Sequence, residues 1–109
     1  MRVNLARAAS GMQAKFLKEY IRTFAFEYEF SSLQAAISYV RTGRQGLTAF
    51  VDYLNLCGFK AKLYALPPNK DLFFDVGEEW VKTSRSSPSF GFCILDTDPL
   101  LVEFKLKLP

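Results

Sequence analysis

No histidine occurs in this 109-residue chain. That absence removes the usual general base near neutral pH, the Ser-His and Cys-His nucleophilic pairs, and most transition-metal sites. Cysteine is scarce: Cys57 and Cys93 each lie in an apolar run, with no second cysteine close in sequence. Two buried free thiols in a reducing compartment are expected. The other arrangement, one disulfide between them, would not make a framework. No apolar run approaches the roughly 18 residues of a membrane span. The start, MRVNLARAASGM, holds no apolar stretch long enough for a secretory signal. The first acidic residue is Glu19, so the start is also compatible in composition with an organelle-targeting peptide. The cytoplasm is the expected location. There is no glycine-rich phosphate loop, because the GRQG at 43–46 is not followed by Lys-Ser/Thr. The chain reads as a non-enzyme that needs neither metal nor cofactor.

Hydrophobic residues make up 50% of the chain, and 11 Phe and 5 Tyr are many for its length. A single domain spanning 1–109 can therefore build a real core, with aromatic surface left over to cover a partner. Charge is uneven. Residues 1–69 hold nine Lys/Arg against four Asp/Glu, whereas 70–109 hold five against seven. A basic half beside a mildly acidic half points to an anionic partner.

Hydrophobic spacing divides the chain into a helical part, 1–58, and a β part, 59–109. Phe16, Tyr20 and Phe24 recur at helical spacing, with Lys15, Lys18 and Arg22 on another face, and predict a helix from Met12 to about Phe26. The following FAFEYEF alternates with period two and fits either a helix end or an extended segment. Ser31 or Ser32 is placed to cap a second helix, whose buried face is Leu33, Ala36, Ile37 and Val40, and Gly43 to end it. A third helix is expected from about Leu47 to Cys57, with Leu47, Phe50, Val51, Leu54 and Cys57 inward and Gly58 as its stop. Beyond it, FKAKLYAL, LFFDV, FGFCIL and LLVEFKLKL read as strands, with turns at PPN and DTDP. GEEWVKTSRSSPS reads as a polar loop with a helical turn around Trp80. In the last strand Leu100, Val102, Phe104, Leu106 and Leu108 would point inward, and FGFCIL with LLVEFKLKL would form a hairpin. The expected class is α+β: about three N-terminal helices, then a three- to four-stranded antiparallel sheet.

Ile37, Ser38, Val40, Gly43 and Arg44, followed by Leu47, Phe50, Val51, Leu54, Gly58, Phe59 and Leu63, carry a resemblance. The stretch 33–63 resembles the second half of a helix-turn-helix of the phage-repressor/Cro type. The resemblance implies that the helix holding Ile37 and Val40 is a recognition helix. Phe26 and Phe30 match apolar positions of the pattern upstream. The chain departs from it at Glu27, where a small residue is usual, and at Ser31, where the tight turn usually has glycine. A glutamate at such a close helix approach would be crowded and costly to bury.

The residues make a case for nucleic acid independently of that resemblance. Gln34 is able to read adenine through its amide. Ser38, Arg41, Arg44 and Gln45 surround the RTGRQG turn, where the arginines would neutralise phosphates. Backbone N–H groups near Gly46 and Leu47 would favour an anion. Lys60 and Lys62 share one strand face. Separately, ILDTDPLLVEFKLKL is similar to the core hairpin of Asp…Glu-x-Lys nucleases, with Glu103 and Lys105 as the Glu-x-Lys. The strand positions for the first Asp hold Gly91, Phe92 and Cys93, and none supplies a carboxylate for Mg²⁺.

The leading expectation is a small non-catalytic nucleic-acid-binding protein, a regulator of a phage or other mobile element. The alternative is a protein-binding module, an inhibitor or adaptor, acting through a sheet edge and exposed aromatics. No membrane partner is expected. A homodimer is expected to pair LLVEFKLKL strands across a two-fold axis. Against it, Lys105 and Lys107 are residues that guard strand edges.

Overall fold

The structure, a computed structural model, describes residues 1–4, 11–41, 44–66, 72–76, 79–83 and 89–108, with side chains for 1–3, 11–41, 44–63 and 91–108. The fold is α+β. Strand β1 (Arg2–Asn4) precedes helices α1 (Gly11–Glu27), α2 (Leu33–Arg41) and α3 (Arg44–Leu56). Strands β2 (Ala61–Leu66), β3 (Leu72–Val76), β4 (Glu79–Thr83) and β5 (Ser89–Ile94) follow, and helix α4 (Pro99–Lys107) comes last. One antiparallel sheet has the order β1-β5-β2, and β3 pairs with β4 in a second.

Local chemistry explains where the helices start and stop. The Ser32 hydroxyl accepts from the Ala35 N–H at 3.1 Å and caps α2. Helix α1 closes when the Phe30 N–H reaches back to the Ala25 carbonyl at 3.0 Å, with Glu29 left-handed at φ 57°. That is a stop normally made with glycine. Helix α3 ends in the same way: Phe59 N–H bonds the Leu54 carbonyl at 3.1 Å and Gly58 takes φ 109°. The expected stop at Gly43, and the turn at 67–69, lie outside the described residues.

The core lies between the helices and one face of the three-stranded sheet. Phe16, Phe24, Phe50, Phe92, Leu47, Leu54, Ile94 and Val3 are buried together. Val3 and Leu63 flank Phe92 in cross-strand register, so β1 and β2 close over the central strand. Phe16 meets the rings of Phe59 and Phe104 edge to face, each at 5.3 Å.

Four expectations are corrected. First, LLVEFKLKL is a helix. Asp98 accepts from the Leu100 N–H at 3.0 Å, and Pro99 opens the first turn. Leu101 and Phe104, three apart, are the buried residues, while Val102 and Leu106 are exposed. The alternation in this segment masked a helix that is apolar on more than one face. No hairpin with β5 forms, and the strand proposed to pair a dimer does not exist. Second, β5 instead takes β1 as a neighbour. Three residues were too short a segment to show a period. Third, the expected helical turn around Trp80 is strand β4, paired with β3. Fourth, both thiols are free, but Cys57 is exposed just beyond the end of α3 and Cys93 is half-buried. Helix α3 also begins earlier than expected, at Arg44.

Candidate nucleic-acid interface

Helices α2 and α3 meet at glycine. A Cβ built on Gly46 would lie 1.8 Å from the Tyr39 carbonyl oxygen and 3.2 Å from the Val40 Cα. Only a residue without a side chain allows this approach. The contact fixes how the end of α2 sits against the start of α3. Ala36 and Val40 face the core. Gln34, Ser38 and Arg41 recur at four and three residues on the opposite side of α2, and all three are exposed. Arg44 and Gln45, also exposed, open α3 directly after the link. Five of the seven candidate residues therefore share the outer side of α2 and its corner with α3.

Lys60 and Lys62 stand apart from this corner. They are exposed on the segment that follows α3, so α3 separates them from Arg44 by roughly 18 Å of helix axis. The Lys60 N–H donates to Asp98 Oδ2 at 2.9 Å, which ties this strand start to the cap of α4. Gly46 and Leu47, expected to offer N–H groups to an anion, are buried. Arg44 and Gln45 are the exposed residues of that first turn.

The glutamate expected to be costly at a close helix approach is not buried. Glu27 is exposed, and Ala25 is the small buried residue of α1. Phe26, matched to an apolar position, is 84% exposed. Glu103 and Lys105, which would lie on a strand in a nuclease hairpin, are on α4.

Ion pairing differs between α4 and the other cation-bearing elements. On α4, Lys105 lies 3.2 Å from Asp96 and Lys107 lies 3.2 Å from Glu103. Lys15, Lys18, Arg22, Arg41, Arg44, Lys60 and Lys62 have no acidic partner among the described residues. The α1 members of this set were legible as a shared helix face but were not assigned to a site.

A groove of about 320 Å³ lies between α1 and α4, with Glu19 and Tyr20 on one wall and Glu103, Phe104 and Lys107 on the other. Burial, reinforced by Glu19, raises the Tyr20 phenol above its ordinary pKa. Tyr53, nearby on α3, is also raised by burial and donates to the Thr23 hydroxyl at 2.9 Å. Among the described residues no group of three or more Cys, Asp or Glu is placed to hold a metal, and no helix is long and apolar enough to cross a membrane. Comparison with protein-family models, with curated proteins and with solved structures gives no match to this chain.

Proposed function

We propose that the protein is a small non-catalytic nucleic-acid-binding protein of the cytoplasm, a regulator of the kind found in phages and mobile elements. Gln34, Ser38 and Arg41 of α2, with Arg44 and Gln45 of α3, form its contact surface. The observation that carries the reading is the unpaired state of the helical cations. Acids neutralise Lys105 and Lys107 within the fold. Arg41 and Arg44 have no such partner among the described residues. Their charge is left for an outside anion, and a phosphate backbone presents anions at regular spacing. The arginines position, while Gln34 and Ser38 offer donors and acceptors to base edges. A salt titration of affinity for random duplex and single-stranded DNA tests this. Binding that weakens steeply with salt supports it, and no binding to either at low salt rejects it.

One observation favours a second reading, protein binding along a sheet edge. Among the described residues, strand β2 pairs with β5 on one side only. Both main-chain groups of Ile94 serve Met1. Ala61, opposite Ile94, therefore turns its own outward, where the Asn55 amide pairs both, at 3.0 and 3.1 Å. By the alternation of an antiparallel ladder, Leu63 and Ala65 turn the same way. These are groups that an added strand would use. A chain that binds neither nucleic acid but forms a stoichiometric protein complex would move the assignment here.

A further inference from the structure

Phe26 is the most exposed large apolar residue among those described, at 84%. The other phenylalanines of α1, Phe16 and Phe24, are buried among several rings. Phe26 has no ring partner among the described residues and sits instead on the solvent face of α1. Helical spacing places it in line with Arg22, four residues before, and Lys15, seven before that. Lys18 lies on one flank of this line and Glu19 on the other. All are exposed. The stripe runs roughly 16 Å along the helix axis.

We infer that this face of α1 is a binding track for single-stranded nucleic acid, with Phe26 as a stacking platform for an unpaired base and Lys15, Lys18 and Arg22 as phosphate contacts. The inference rests on the nucleic-acid reading above and adds to its α2–α3 contact surface a second one, on α1, for unpaired strands. Phe26 stands one turn beyond Arg22, with Lys18 and Lys15 further back along the helix and exposed Glu27 and Glu29 at its C-terminal side. A flat ring at the end of a run of cations matches a polymer of flat bases joined by phosphates. A duplex keeps its bases stacked inside and gives Phe26 nothing to cover. A lipid surface fits less well: an interfacial helix needs a broad apolar face, and here that face is buried in the core.

The test is fluorescence anisotropy with a labelled oligo-dT strand, a labelled random duplex, and anionic vesicles of phosphatidylserine and phosphatidylcholine. Wild type, Phe26→Ala and Phe26→Trp are compared, with thermal melts showing that each is folded. Phe26→Ala should weaken oligo-dT binding roughly five- to a hundredfold, leave duplex binding within twofold, and Phe26→Trp should restore the single-strand affinity. Unchanged oligo-dT binding by Phe26→Ala, with duplex binding intact, overturns this inference alone. Loss of vesicle binding in place of oligo-dT binding assigns the face to a membrane and overturns it as well. Failure of the wild type to bind either nucleic acid removes the parent reading too.

Discussion

Replacing Gly46 by alanine should disrupt the α2–α3 corner more than any other single added methyl group. The new Cβ would fall 1.8 Å from the Tyr39 carbonyl oxygen, 2.6 Å from its carbonyl carbon and 3.2 Å from the Val40 Cα. These are backbone atoms inside a helix, so no side chain is free to swing aside. Reaching a tolerable separation requires the helices to part by about an ångström or more. A gap of that size forfeits a quarter to a half of the attraction across the buried contacts of Ala36, Val40, Leu47 and Phe50. Overpacking in cores usually costs 1–3 kcal/mol, occasionally more, and a backbone clash belongs at or above the top of that range. Alanine returns about 1 kcal/mol of helix propensity. The expected net loss is about 2–4 kcal/mol, against a total stability of roughly 5–15 kcal/mol for a chain of this size. A thermal melt followed by circular dichroism should show a midpoint lower by roughly 10–30 °C. Gln45→Ala, one residue away and exposed, should shift it by only a few degrees. If Gly46→Ala melts within a few degrees of wild type, the helices are not in close contact at this point and the fixed geometry of Arg41 and Arg44 loses its basis.

Three further outcomes follow from the fold. Glu29 occupies a left-handed position at φ 57°, so Glu29→Gly should stabilise the protein by about 1 kcal/mol in denaturant unfolding. Asp98 is 6% exposed and accepts from both Leu100 and Lys60 N–H groups. Asp98→Ala removes the cap of α4 and strands the Lys60 donor, and urea unfolding should register a loss of about 2–3 kcal/mol, with Asp98→Asn losing less. The Asp96 carboxyl is held below the ordinary carboxylate pKa by hydrogen bonds from the Met1 amino group and then Lys105. Its folded pKa is depressed, so its contribution is present above the unfolded value near 3.8 and fades as pH falls through the lower folded value. Asp96 is 75% exposed, so the effect is small: Asp96→Asn should melt slightly below wild type at neutral pH and level with it in strong acid.

Much of the helical layer was legible because each helix carries one apolar stripe and local stop signals. Ser32 and Gly58 act where their chemistry placed them. The last helix was misread because Leu100, Val102, Phe104, Leu106 and Leu108 alternate as a strand would, while Leu101 and Phe104 make the buried contact. Asp98-Pro99 was the local signal that favoured helix, and a turn reading absorbed it. Strand β1 was not legible, since pairing with a segment about 90 residues away leaves no local pattern. Of the candidate surface, the outward spacing of Gln34, Ser38 and Arg41 was readable from the period of α2. The remoteness of Lys60 and Lys62 was not, because it depends on the unbroken length of α3. Phe26 was counted with the apolar positions, although it falls four residues after Arg22 on the polar side of α1. Gly46 looked like an ordinary turn residue. Its role appears only when two backbones are seen in contact.

The measurement that bears most directly on the proposed function is the salt dependence of duplex affinity for wild type and for the Arg41→Ala, Arg44→Ala double variant. Each phosphate contact adds about 0.9 to the slope of log affinity against log salt. If both arginines hold phosphates, the double variant should bind more weakly and its slope should be flatter by roughly 1.8 units. An unchanged slope in a folded double variant, or a wild type whose affinity ignores salt, would contradict the assignment of this corner to nucleic acid.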